Sequence, residues 1–332
     1  MSLIEIVISN EALGSLLIEE LDVVGDVFKK HLHSSDDDVN DLCTHIERYR
    51  GKMLRPTLVI LSSLAATGSY SRENLDDRHR VLAAVVEMIH MATLVHDDIL
   101  DESDVRRGGA TVNTLYGNDV AVMLGDYLIS KSFHLCSTLG DPSINMALGE
   151  VTNTLCEGEV IQLQNKNDLD MKQDVYLDIV GRKTGSLIGA CCRLGAVLGG
   201  GDDEHCEALR LFGIEMGIAF QIIDDVLDLM GKTEVTGKSV GRDLDLGKLT
   251  LPLIKLRDGL NSRDRDEFDR IVKSRDRSEL VEQLDSSGAL DQTMESARKI
   301  VATAQSRLEI LPAGPARELL LELSRGVLTR HS

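Results

Sequence analysis

Leu94-Val95-His96-Asp97-Asp98-Ile99-Leu100-Asp101 and Ile222-Ile223-Asp224-Asp225-Val226-Leu227-Asp228 are two versions of one pattern. In each, two adjacent aspartates are followed three residues later by a third, with a pair of aliphatics between. On a helix the first and third aspartates share a face, and the second sits about 100° round. Three crowded carboxylates repel one another, and Asp is a poor residue inside a helix. The pattern therefore asks for a counter-charge. A hard divalent cation supplies it, since Mg²⁺ takes carboxylate oxygens and shares its other positions with water and substrate phosphates. Two such helices facing each other could hold several cations around one diphosphate.

The rest of the chain suits a helical protein. Of 332 residues, 42% are hydrophobic, enough for one large or two ordinary domains. Apolar residues recur at intervals of three and four, without the alternation of strands, so the sequence reads as all-α. No segment offers the roughly 18 uninterrupted apolar residues of a membrane span. Glu87 and His90 interrupt Leu82 to Val95, and Arg193 interrupts Thr184 to Gly200. The N-terminus lacks the basic-then-apolar plan of a secretory leader. Six cysteines without CxxC or zinc-like spacing read as buried thiols in a cytoplasmic protein. A net charge of −19 argues against nucleic acid as a partner. It also conflicts with an anionic substrate, unless bound metal ions carry the positive charge.

Periodicity predicts helices over about 10–33, 57–66, 81–103, 118–138, 144–165, 173–198 and 205–231. Lys52 and Arg55 flank the start of the second, which Pro56 opens. His90 precedes Asp97 by seven residues and lies on nearly the same face. Arg106 and Arg107 sit on a glycine turn just beyond the first aspartates, with the planar shape that grips phosphate. Lys183-Thr184 places a cation and a hydroxyl beside Gly185. Gln221 lies one turn before Asp224. Gly231 to Gly247 reads as a loop with Lys238 and Asp243, followed by Lys248: a lid that would bring two lysines to a phosphate. Singly, each of these has a blander reading as a core histidine, surface pair or mobile loop; their alignment with the aspartates lifts them above it. From Leu251-Pro252 onward come shorter charged helices, where nothing asks for chemistry. No linker divides the chain, which reads as one domain over 1–332, with a motif-bearing core at about 50–252 and a peripheral part at 253–332.

In order along the chain stand Gly51-Lys52-Met53-Leu54-Arg55-Pro56, Glu87-Met88-Ile89-His90, Asp97 to Asp101, Arg106-Arg107-Gly108, Gly125-Asp126, Gly158 to Leu163, Lys183-Thr184-Gly185, Phe220 to Asp228, and Gly237-Lys238 to Pro252. This ordered set resembles the trans-isoprenyl (polyprenyl) diphosphate synthases. Ser239 departs from it, standing where the family often has proline. The resemblance implies the isoprenoid synthase type I fold, antiparallel helices around a deep central cavity, as a homodimer. It implies Mg²⁺, three ions per site, held by Asp97, Asp101 and Asp224, with Asp98, Asp225 and Asp228 supporting. Arg106, Lys183, Thr184, Gln221, Lys238 and Lys248 would hold an allylic diphosphate such as farnesyl or geranylgeranyl diphosphate. Gly51, Lys52, Arg55, His90 and Arg107 would hold isopentenyl diphosphate.

Product length depends on the residues just before Asp97. Family members that stop at fifteen carbons place an aromatic four or five positions upstream, where this chain has Thr93 and Ala92. That reading favours a product of at least twenty carbons, in the long-chain class, with geranylgeranyl or farnesyl diphosphate as the alternative, and with Ile89, Val86 and Phe133 closing the bottom. Two rivals are a class I terpene cyclase and a non-catalytic regulatory subunit of a synthase. The second Asp-rich motif and the isopentenyl pocket argue against the first, and six retained aspartates against the second.

Overall fold

The computed structural model describes residues 3–49, 51–231 and 241–330. Helices α1 (Leu3–Ile8), α2 (Gly14–Leu32) and α3 (Asp37–Ile46) lead to α4 (Leu54–Thr67) and α5 (Asp77–Leu100). A short antiparallel ribbon, β1 (Val105–Arg106) and β2 (Gly109–Ala110), precedes α6 (Val112–Tyr116), α7 (Asn118–Ser137) and α8 (Pro142–Gln164). Helix α9 (Gln173–Val180) passes through a π turn at Gly181–Gly185 into α10 (Ser186–Gly199), followed by α11 (Asp203–Met230). Then come α12 (Arg242–Asp245), α13 (Leu251–Asp258), α14 (Ser262–Ser274), α15 (Arg277–Ser287), α16 (Ala289–Arg307) and α17 (Pro315–Leu328). The fold is all-α, as the periodicity predicts.

Helix α4 is buried on all sides from Pro56 to Ala66, as a sequence broken only by the small polar Thr57, Ser62 and Ser63 allows. It packs between α5 and α10, and α10 in turn lies along α11, so the two Asp-rich helices belong to one central layer. The buried apolar side chains form a single cluster running from Leu3 to Val327. Helix α5 starts with a capping box, in which the Asp76 carboxylate accepts from the backbone of Arg78 and His79 and the His79 ring faces the Asp76 backbone. It ends at Leu100, three residues short of the expected boundary, and Asp101 is its C-cap. A carboxylate there meets the negative end of the helix dipole, a second reason for it to need a cation.

Helices α10 and α11 touch backbone to backbone. A Cβ on Gly213 would lie 2.8 Å from the Cα of Gly189, and one on Gly217 would lie 2.8 Å from the Cα of Gly185. This glycine seam sets the second Asp-rich motif directly beside the π turn that carries Lys183 and Thr184. Such turns interrupt the regular hydrogen-bond ladder and re-aim side chains.

Candidate active site

A cavity of about 670 Å³ opens between these helices. Asp97 and Asp101 line it from α5, and Asp224 and Asp225 from α11. Asp97 is pushed up to about 6, chiefly by burial and further by Glu159 and Asp101, while Lys183 and Lys248 pull the other way. Asp243 is pushed up to about 6 by burial, with Asp228 and Asp101 adding to it. The protein's own cations thus leave these acids under-compensated. Among the described residues no three acid, His or Cys side chains converge into a closed metal cage. The carboxylates of Asp97, Asp101 and Asp224 nonetheless fit Mg²⁺, a hard ion that keeps water and substrate oxygens in an open site.

The six aspartates do not play equal parts. Asp98 is buried and held by Arg106, whose Nε and Nη2 lie 2.8 and 2.7 Å from its Oδ1. Asp225 accepts from the Tyr176 hydroxyl at 2.5 Å and from Gln221 Nε2 at 2.9 Å. Burial raises its carboxyl well above the usual range, with Asp243 adding to the effect. Asp228 accepts from the backbone N–H groups of Arg242 and Asp243, both at 3.2 Å, pinning the turn into α12. Of the motif aspartates that line the cavity, Asp97 and Asp101 on one helix and Asp224 on the other are therefore the ones not held by a tyrosine, an amide or the backbone of the turn into α12.

Cations stand beside these acids. Lys183 pairs with Glu159 and donates to Gln162 Oε1 at 2.5 Å, both on α8. Lys248 donates to Asp101 at 2.7 Å and lies 3.8 Å from Asp243. Thr184 donates to Gln221 Oε1 at 3.0 Å, which fixes the amide so that its nitrogen turns to Asp225. Lys238 lies outside the described residues.

A second cationic group lines the cavity around Arg55, His90, Arg106 and Arg107. Arg107 and Gly108 occupy the positive-φ turn of the ribbon, at +51° and +76°. The turn brings the Arg107 guanidinium against Gly51, where a Cβ would overlap it. Arg55 Nε is buried without a hydrogen-bond partner, a donor left for an anion. Burial, with Arg55, Arg107 and Arg106 nearby, lowers His90 well below its ordinary value, so the ring is neutral. Lys52 borders the same end of the cavity and is exposed.

The polyprenyl synthetase family model matches residues 36–286. An octaprenyl diphosphate synthase of Escherichia coli is 33% identical over 96% of this chain and 98% of its own. An all-trans-nonaprenyl-diphosphate synthase (geranyl-diphosphate specific) of Rhodobacter capsulatus is 37% identical over 88% of this chain and 89% of its own. A Caulobacter crescentus polyprenyl synthase, solved with calcium and isoprenyl diphosphate, superposes with a TM-score of 0.89 at 33% identity, covering 98% of both chains. The chain belongs to the polyprenyl synthetase family. It is a prenyl-chain-elongating transferase with the isoprenoid synthase helical fold.

Several features of this polyprenyl synthetase escape the sequence. The C-terminal part does contribute to the cavity, contrary to expectation. Arg330 lines it, with Nη1 2.8 Å from Asp224 Oδ1 and the guanidinium carbon 3.9 Å from the Phe220 ring centroid. That ion pair is off the hydrogen-bonding axis, so Nη1 makes a charge contact without a directed bond. Nothing in the local sequence marks Arg330, because the contact joins residues more than a hundred positions apart. Tyr176 is missed because its contact with Asp225 also joins distant segments, 49 positions apart. Of the synthase's expected floor residues, Thr93 borders the cavity, while Ala92, Ile89 and Phe133 lie outside its lining. Ala92 and Ile89 are fully buried, and Phe133 packs partly buried against the core.

Proposed function

We propose that this synthase condenses isopentenyl diphosphate head-to-tail with an allylic diphosphate, farnesyl or geranylgeranyl diphosphate, to give an all-trans product of at least twenty carbons, in the long-chain class. One observation carries the reading: opposed carboxylates and two separate cationic groups line the same cavity. Asp97, Asp101 and Asp224 would hold three Mg²⁺ ions, which when bound neutralise the diphosphate. Lys183, Thr184, Gln221 and Lys248, with Lys238, bind and orient the allylic diphosphate and stabilise charge as its C–O bond breaks. Arg55, His90 and Arg107, with Gly51 and Lys52, hold isopentenyl diphosphate so that its double bond attacks the allylic cation. Proton loss to the departing diphosphate oxygen completes the step. The apolar wall around Met53, Leu54, Thr93 and Leu94 keeps water from the cation.

We further read the whole chain as one domain that works in the cytoplasm as a homodimer. Exposed apolar side chains on α6, α7 and α8, among them Leu115, Met123, Met146 and Val160, support the dimer. The six cysteines are free, five of them buried, which suits a reducing compartment. Incubation of the purified protein with labelled isopentenyl diphosphate and each allylic primer, followed by chromatography of the products, tests the reading. Cyclic products formed without isopentenyl diphosphate would overturn it.

A further inference from the structure

We propose that Asn167 and Arg275, neither of which faces the main cavity, form a strut that positions Lys248. Lys248 follows Gly247, whose φ is +75°, at the end of the turn closed by Gly247 N–H to Leu244 O at 3.0 Å and Lys248 N–H to Asp243 O at 2.8 Å. The outer side of that turn is bound to the loop after α8. The Asn167 N–H donates to Gly247 O at 2.8 Å, and Asn167 Oδ1 sits where a Cβ on Gly247 would go. The same Oδ1 accepts from Arg275 Nη2 at 2.8 Å, and Arg275 Nη1 donates to Leu244 O at 2.5 Å. One guanidinium thus binds Leu244 of the turn directly and reaches its Gly247 end through Asn167, a geometry that a lysine cannot reproduce.

Leu244 and Leu249 anchor the turn in the core on one side, and two features give these bonds the task of fixing the Lys248 backbone on the other. Asn167 and Arg275 both adopt left-handed backbone, at φ +63° and +59°, which side-chain-bearing residues seldom do without a reason. Behind the turn lies a second cavity of about 250 Å³, bordered by Asn167, Lys248, Leu249 and Arg275, so no close-packed core supports the turn from that side. The loop is itself anchored, since Arg257 bridges Asp170 at 2.8 Å and Asp269 of α14 at 2.9 Å. Helix α8 therefore governs both lysines at the allylic diphosphate: Glu159 and Gln162 hold Lys183, and the loop that follows them holds Lys248.

This inference rests on Lys248 binding the allylic diphosphate, and a double-mutant cycle separates the two claims. Asn167→Gly suits the left-handed backbone and keeps the N–H to Gly247, while Arg275→Lys keeps the charge. Each should lower kcat/KM for the allylic substrate about tenfold, mainly through KM, with the KM for isopentenyl diphosphate unchanged. In a Lys248→Ala background neither should cost anything more, whereas in a Lys183→Ala background the losses should multiply. Multiplying losses in the Lys248→Ala background would overturn the strut. So would a drop in thermal stability with both substrates affected alike, the mark of a merely structural role. A Lys248→Ala enzyme with normal kinetics would instead overturn the role assigned to the lysine itself, and the strut with it.

Discussion

The Lys248 ammonium lies 2.7 Å from the carboxylate of Asp101, joining the segment after α12 to the C-cap of α5 across 147 positions of sequence. Asp101 sits where the helix dipole is least tolerant of a negative charge, and Lys248 compensates both charges locally. Burial lowers the Lys248 ammonium, but Asp243 and Asp101 outweigh it and the net shift is upward, so the lysine is charged at neutral pH. Lys248→Ala should therefore cut kcat/KM for the allylic diphosphate by about 10²-fold, as for loss of one group that stabilises transition-state charge. Steady-state kinetics at saturating Mg²⁺ checks this.

Asp97 and Asp224 line one cavity from different helices, and each should be needed. Asp97→Ala or Asp224→Ala should reduce turnover by about 10³-fold or more, while circular dichroism shows the helical fold intact. Near-normal turnover of either variant at saturating Mg²⁺ would show that the metal is held elsewhere.

The raised carboxyls of Asp97 and Asp243 imply a pH dependence of stability. Both titrate at about 6 in the fold, above the ordinary 3.8, so between those values the native state binds more protons than the unfolded chain. Stability of the metal-free protein is then greatest below about pH 4 as far as these two groups are concerned, and falls as pH rises through 6. Asp97→Asn should flatten part of that decline, by about 1–2 kcal/mol. Added Mg²⁺ should reverse it above pH 6, where the carboxylates are ionised. Thermal melts from pH 4 to about 8, with chelator and with Mg²⁺, give the measurement.

Thr93 borders the cavity one turn before Asp97, so Thr93→Phe should shorten the product. Ala92→Phe should act less cleanly. Ala92 is fully buried, and overpacking there costs about 1–3 kcal/mol. If neither change alters product length, the growing chain leaves by another wall.

Gly213 and Gly217 leave no room for a side chain against α10. Gly213→Ala or Gly217→Ala should destabilise the protein by about 1–3 kcal/mol and lower activity more than the melting temperature alone explains. The extra loss follows from shifting Lys183 and Thr184 relative to Asp224.

Much of this site was legible in the sequence because helical periodicity carries it. Asp97, His90, Gln221 and Asp224 could be placed on inward faces by counting residues, and all four line the cavity. Counting fails where the distinction is made by hydrogen bonding. Asp228 shares a helix face with Asp224 in sequence, yet it accepts from the backbone of Arg242 and Asp243 while Asp224 lines the cavity. It fails again where contacts join distant segments, as at Arg330 on Asp224 or Tyr176 on Asp225. Periodicity predicts continuous helix through the π turn, since Gly181 and Gly185 mark flexibility without saying how it is used.

The glycine seam between α10 and α11 has a consequence for how such enzymes can diversify. With no side chain between the two backbones, the spacing of Lys183 and Thr184 from Asp224 is set by main-chain contact, which leaves the bond-breaking apparatus little room for drift. The wall formed by α5 is free of that restraint, because side chains rather than main chain separate it from α7. Substitution there can deepen or close the space for the hydrocarbon while the ionising machinery opposite keeps its spacing.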